Sequence, residues 1–315
     1  MNETYAPAAP APVTAGSPAA RGPAPAPSDR AAFAALDWSL FSAVGIIWGS
    51  SYLLIKVALG SFHPGMITWA RVALGAVALL ALRRGRLRIA PADRGRVVLL
   101  SIVWVGVPFT LFPLAEQHIN SAVTGLLTGA TPFFAGLFGA VWFSRTPRGA
   151  QRLGMVIGFL GIVLISAGSS AGGGTAPLGV VMVLVATMCY GLATNLAGPL
   201  QRRYGSVPLM GRMLALATVW TAPFGLVGAA HSGIARGPVL ATVVLGVVGT
   251  GAAFALMASL VGRVGGTRAS FITYLIPLVA LVLGAVVLEE SVSAAALAGA
   301  GMVLAASVLA SRAET

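Results

Sequence analysis

One pattern occurs twice in this chain, and it leaves few folds open. Residues 121–168 and 267–310 each hold two apolar stretches joined by a short polar turn, and a proline interrupts the first stretch of each pair. A shift of 145 positions lays Pro132 on Pro277, Gly139-Ala140-Val141 on Gly284-Ala285-Val286, and Gly154 on Gly299. A chain built twice around a proline-broken apolar helix predicts a membrane-embedded protein of two homologous halves.

The remaining sequence extends the pattern. Apolar runs lie near 38–59, 65–82, 97–115, 121–143, 151–168, 177–197, 209–230, 238–261, 267–288 and 292–310. Each is close to the roughly 20 residues that a helix needs to cross a hydrocarbon core of about 30 Å. Composition agrees: 57% of residues are hydrophobic and 9% charged, with a mean hydropathy of +0.90. A soluble domain carries about 25% charged residues, and ten apolar runs of this length make a soluble core the poorer reading. The expected fold is an all-α integral membrane protein of ten transmembrane helices. Residues 1–36 are of other material. They are rich in Ala and Pro, bury too little surface to offset chain entropy, and are expected to form a disordered cytoplasmic tail. They lack the apolar core of a signal peptide, so they are not expected to be cleaved.

Charge sets the expected orientation. The chain has 20 Lys and Arg, all Arg except Lys56. With the N-terminus in the cytoplasm and ten spans threaded, 17 of them fall on the inner side, and the largest group is Arg83, Arg84, Arg86, Arg88, Arg94 and Arg96. Only Arg236 falls outside, while Lys56 and Arg71 fall within or near the apolar zone. This is the positive-inside distribution of a multi-pass protein in the cell membrane with both termini cytoplasmic. It also accounts for the formal charge of +12 without a nucleic-acid partner, because the Arg residues sit between apolar runs. Some of them are placed to meet anionic lipid headgroups.

Five spans per half, 38–168 and 177–310, is an odd number. The second half therefore enters from the opposite side, and the expected architecture is two inverted five-helix repeats. The turn after the fourth span, Phe143-Ser144-Arg145-Thr146-Pro147-Arg148, is basic, while its counterpart Leu288-Glu289-Glu290-Ser291 is acidic. A change of charge with a change of side is what inversion predicts. The link between the halves, Ser166 to Pro177, is Gly/Ser-rich and uncharged.

The polar residues inside apolar runs are the candidates for a binding site. Lys56 lies near the outer end of the first span, as a counter-charge for an anionic group or as an interface anchor. Arg71 lies in the outer half of the second, where its fork suits a carboxylate better than a Lys point charge does; a structural bond to helix-end carbonyls is the other reading. Thr124, Thr128 and Thr131 form a stripe ending at Pro132, which removes a helix hydrogen bond and frees the Thr128 carbonyl. Ser270, Thr273 and Tyr274 precede Pro277 in the same way. Gly125, Gly129, Gly136 and Gly139 make a small-residue seam for helix packing beside that stripe. Tyr190, Thr194 and Asn195 mark the sixth span, and Trp48 and Tyr52 the first, where the repeat lays Trp48 on Tyr190. The expected substrate-binding set is Trp48, Tyr52, Lys56, Arg71, Thr124, Thr128, Tyr190, Thr194, Asn195, Ser270 and Tyr274, with hinges at Pro132 and Pro277. Glu116 and His118 end the third span, where an acid can relay protons but where the ordinary expectation is a wet, solvated carboxylate.

Ile47-Trp48-Gly49-Ser50-Ser51-Tyr52-Leu53-Leu54-Ile55-Lys56 in the first run and Trp69-Ala70-Arg71-Val72 in the second, with Thr131-Pro132 and Ile276-Pro277 each followed by a turn and a Gly-rich helix, resemble the drug/metabolite transporter superfamily, EamA type. The resemblance covers about residues 38–310. It implies an exporter of small metabolites, such as amino acids or toxic, drug-like compounds, with a central cavity between the halves. That family usually places a Glu after both proline-containing helices. Here the second copy has Glu289 and Glu290, whereas the first has Ser144 and Arg145.

Other classes find little support. No HExxH, cysteine cluster or P-loop is present, and the three His fall at span ends, so no catalytic residue, metal site or cofactor is expected. Cys189 is the only cysteine. The chain is read as a secondary transporter working by alternating access, not as an enzyme. A flippase or scramblase of lipid-linked substrates and a non-transporting receptor are the alternatives. The expected partners are a small-molecule substrate and membrane lipids. Substrate, direction, coupling ion and oligomeric state, a homodimer included, stay open.

Overall fold

In an apolar medium each unpaired backbone N–H or C=O costs several kcal/mol, so long apolar segments close their bonds internally as helices. The computed structural model follows this rule. It describes residues 33–82, 88–142, 149–170 and 176–312, and among the described residues every regular element is a helix. Most of the N-terminal tail (1–32), Arg83, Arg84 and Arg86, the basic turn 143–148 and residues 171–175 of the link lie outside the described residues.

The helices are α1 (Ala35–Ala58), α2 (Pro64–Ala81), α3 (Arg94–Leu100), α4 (Val107–Ala115), α5 (Ser121–Thr128), α6 (Thr131–Trp142) and α7 (Gly149–Ser170). The second half of the chain forms α8 (Ala176–Tyr204), α9 (Ser206–Ala230), α10 (Arg236–Gly246), α11 (Ala253–Val264), α12 (Gly266–Ala269), α13 (Ile272–Val287) and α14 (Ala294–Arg312). Joined across their irregular turns, seven helical segments among the described residues are long and apolar enough to cross a membrane: Ala35–Ala58, Pro64–Ala81, Pro91–Ala115, Ser121–Trp142, Ala176–Tyr204, Ser206–Ala230 and Arg236–Val264. Three shorter apolar helices, Arg152–Gly168, Ile272–Val287 and Ala294–Ala306, occupy the other runs.

Two helices widen into π-helical turns at matching places. Ser101–Gly106 joins α3 to α4, and Val247–Ala252 joins α10 to α11. Pro108 explains the first, because its ring would press on a carbonyl one turn earlier and a wider turn relieves the contact. The second is glycine-rich, and Thr250 Oγ1 donates to the Leu245 carbonyl five residues back. Such turns re-aim side chains and are frequent at functional sites.

Two runs expected as single helices are broken. The first break, Gly129-Ala130, separates α5 from α6, so Pro132 stands at the second position of α6, where its missing N–H costs nothing. The Thr128 carbonyl is not left free, because Thr131 Oγ1 donates to it at 2.7 Å. In the second copy the break falls earlier, at Ser270-Phe271, and Pro277 lies inside the continuous α13. The two prolines therefore differ in local setting although the sequence aligns them. α8 also runs past its expected end to Tyr204, carrying Arg202 and Arg203 in its last turn, where cations favour the helix dipole.

Glycines set the closest helix contacts. A Cβ on Gly125 would collide with Ala280, and one on Gly129 with Pro277, so the α5 end of the expected seam seats α13. A Cβ on Gly136 would meet open space, so the seam does not continue into α6 at that position. Gly225 lies against Trp69 and Gly228 against Met66, drawing α9 onto α2. Large apolar side chains such as Val77, Trp142, Val219, Leu226 and Val286 are exposed on the outer surface, as lipid-facing residues are.

Candidate functional site

A cavity of about 430 Å³ runs between the first-half and second-half helices. Its mouth lies at the end of the molecule that carries Arg202, Arg203, Arg263 and Arg268. There Gln201, Ser206, Val261 and Gly266 line it, at the ends of α8 and α11 and the starts of α9 and α12. Its floor is Tyr52, Phe112 and Tyr190, with Phe112 ring centroids 5.8 Å from each tyrosine. Beyond the floor the bundle is packed shut: Ile55, Phe62, Ala115, Ile119 and Val123 are buried in one apolar cluster.

The walls are mostly apolar and include several aromatic rings. Trp48 meets Phe254 edge-on, with centroids 5.3 Å apart, and Trp104 and Phe109 complete the lining on the α3–α4 side. Arg71 is the charged residue in this lining. It is buried, its guanidinium carbon lies 3.9 Å from the Phe109 ring centroid, and its Nε donates to Thr250 Oγ1 at 3.1 Å. The π-helical turn Val247–Ala252 brings Thr250 to this point. Among the described residues no carboxylate forms an ion pair with Arg71; ion pairs join Arg203 to Asp93 and Arg263 to Asp37, both at the mouth end.

The structure brings most of the expected residues together. Trp48, Tyr52, Arg71 and Tyr190 line the cavity deeply; Thr128, Thr194 and Ser270 line it as well. The hydroxyls of Thr128 and Thr194 donate to carbonyls four residues back in their own helices, so each presents an oxygen and a methyl rather than a free donor.

Four expected residues do not line the cavity. Lys56 lies on the sealed side, where Nζ donates to the carbonyls of Glu116 at 2.6 Å and Ile119 at 3.2 Å. Thr124 is fully buried and donates to the Asn120 carbonyl. Asn195 Nδ2 donates to the carbonyls of Ala135 and Gly191, tying α8 to α6. Tyr274 packs on Phe271, with centroids 5.8 Å apart. Glu116 departs furthest from expectation: the wet helix end is instead a buried one, 0% exposed. The segments around Lys56, Ser121 and Glu290 fold over it.

Trp104, Phe109, Phe112 and Phe254 were not expected. Phe109 and Phe112 are three residues apart and so share a helix face, which was the available signal. In a helix apolar all round, spacing alone does not separate a cavity face from a lipid face.

The sequence model of the EamA-like transporter family matches residues 38–167 and 177–312. An uncharacterized transporter of Archaeoglobus fulgidus is 25% identical over 267 residues, covering 85% of this chain and 95% of that protein. The uncharacterized transporter YvbV of Bacillus subtilis is 24% identical over 261 residues, covering 81% of this chain and 84% of YvbV. The uncharacterized inner membrane transporter YedA of Escherichia coli is 26% identical over 151 residues, 47% of this chain and 48% of YedA. A solved crystal structure superimposes with a TM-score of 0.60 at 18% identity, covering 89% of this chain and 99% of the other, and shares the fold.

Proposed function

The chain belongs to the EamA-like transporter family, and from that membership we propose that it exports small anionic metabolites with apolar or aromatic bodies across the cell membrane. The observation that carries this reading is Arg71, a buried guanidinium in an apolar cavity with several aromatic walls, to which no carboxylate among the described residues is paired. A buried cation without a counter-ion is costly, and a ligand carboxylate is the partner that its planar fork fits. The aromatic walls suit the apolar remainder of such a solute.

The mechanism is alternating access between two inverted five-helix halves, residues 38–168 and 177–310. The matched π-helical turns and the proline in each half support that repeat. The Arg-rich end is cytoplasmic by the charge distribution, so the described state faces inward, open at the mouth and sealed beyond Tyr52 and Phe112. Solute enters from the cytoplasm and its carboxylate reaches Arg71. The halves then rock about the breaks next to Pro132 and before Pro277, closing the mouth and opening the far end. Lys56 and Asn195 tie neighbouring segments together around this path, and Thr124 and Tyr274 lie off it.

Culture medium from cells expressing the chain is compared by untargeted mass spectrometry with medium from cells expressing Arg71→Gln at equal membrane levels. The reading expects one class of organic acid or amino acid to accumulate outside only with the intact chain. Identical media overturn it.

A further inference from the structure

Glu116 closes α4 on the sealed side of the cavity floor, and the reading above assigns it no work. Its side chain is 0% exposed, and no donor among the described residues reaches either carboxylate oxygen. Its neighbours are otherwise engaged. Lys56 Nζ spends two bonds on the carbonyls of Glu116 and Ile119 rather than on the carboxylate. Glu290, from the segment after α13, accepts from Ser121 N, Ser121 Oγ and Ala122 N, capping α5. Asn120 Nδ2 donates to the Ser291 carbonyl beside it.

The charges that bear on Glu116 are Lys56 from α1, Glu290, and Arg71 from α2. Glu290 and Arg71 oppose one another. Tyr52 also faces it from α1, and on α8 the titratable side chains nearest the floor are Cys189 and Tyr190. His118 lies on its own segment, and α5 offers no ionisable group. An ionised carboxylate sealed without a donor costs several kcal/mol even after relaxation, whereas the neutral acid costs about 1–3 kcal/mol. One ammonium held to backbone carbonyls removes part of that difference only.

We propose that Glu116 is a proton-binding site of the outer gate, filled when the far end closes and emptied when it opens. On closure the carboxylate takes one proton from water on the far side. On opening, water and Lys56 receive the carboxylate and the proton leaves to that side. This rests on the reading that the far end is the outer gate. It makes the balance between inward-facing and outward-facing states depend on external pH: closure is favoured in acid and opening in base. One linked proton changes that ratio by up to about tenfold per pH unit.

The test uses full-length protein in right-side-out membranes, with Cys189→Ser and a reporter, Ile119→Cys, at a position buried in the closed state. A membrane-impermeant maleimide is added outside, and its rate is normalised at each pH to that at Ile234→Cys, where the side chain is 94% exposed. The normalised rate should rise severalfold between pH 6 and pH 8. With Glu116→Gln, a permanent mimic of the neutral acid, it should stay low throughout. A flat wild-type profile, or the same slope with Glu116→Gln, overturns the proposal. A second readout needs no gate motion. Infrared spectra of purified protein at neutral pH should contain a protonated-carboxyl C=O band that is lost in Glu116→Gln and kept in Glu290→Gln. Absence of that band also overturns the proposal. A pH-dependent gate without solute flux would retain this inference and sink the transport reading. Flux with a pH-independent gate would do the reverse.

Discussion

Arg71 is held from two sides: its guanidinium carbon stands 3.9 Å from the centre of the Phe109 ring, and its Nε donates to Thr250 Oγ1 at 3.1 Å. Phe109 belongs to α4 and Thr250 to the π-helical turn before α11, so one side chain from α2 joins both halves of the chain at the cavity. A desolvated cation–π contact is worth up to about 2 kcal/mol. Thr250→Val keeps shape but removes the acceptor, leaving a buried donor unpaired at a cost of about 1–3 kcal/mol. Thermal unfolding in detergent should show this loss, and Phe109→Leu should show a smaller one.

Gly125 and Gly136 should respond oppositely to the same change. A Cβ at Gly125 collides with Ala280, so Gly125→Ala forces α5 from α13 and should cost about 1–3 kcal/mol. A Cβ at Gly136 meets open space, so Gly136→Ala should leave stability unchanged or raise it by up to about 1 kcal/mol. The difference in unfolding temperature between the two variants checks both.

Glu290 caps α5 from the other half of the chain, through Ser121 and Ala122. Removing a helix cap costs about 0.5–2 kcal/mol. Glu290→Ala should show that loss, and Glu290→Gln a smaller one because the amide keeps one acceptor oxygen. Hydrogen exchange of the Ser121 and Ala122 amides should rise in the same order.

Glu289, directly before it, has φ +54°, a left-handed conformation that disfavours residues with a Cβ by about 1–2 kcal/mol. It follows the end of α13, where glycine is the common choice. Glu289→Gly should raise stability by up to about 1 kcal/mol, and an unchanged or lower unfolding temperature would contradict this account of the turn.

Helix positions were legible because apolar length and loop charge are additive along a sequence. Every apolar run holds a helix, with ends displaced by a few residues. The walls of the cavity were half legible. Trp48, Tyr52, Arg71 and Tyr190 stood out as aromatic or charged residues inside apolar runs, whereas Phe109, Phe112 and Phe254 were hidden in helices that are apolar on all sides. Lys56 and Asn195 were misleading because a polar side chain in an apolar helix satisfies a backbone carbonyl as readily as a ligand. The break near Pro277 moved because helix continuity depends on where neighbours accept a freed carbonyl, and a proline alone does not set it. Burial of Glu116 was out of reach, since it depends on segments distant in sequence, those of Lys56 and Glu290, closing over a helix end.

The most direct test of an Arg71-based anion exporter is efflux from proteoliposomes loaded with a ¹³C-labelled small-molecule extract of bacterial cytosol. Labelled solutes appearing outside are identified by mass spectrometry for wild type, Arg71→Gln and empty vesicles. The account predicts protein-dependent solutes that are carboxylates with apolar or aromatic bodies, lost in Arg71→Gln. No protein-dependent solute, or neutral or cationic solutes that leave equally through Arg71→Gln, would contradict it.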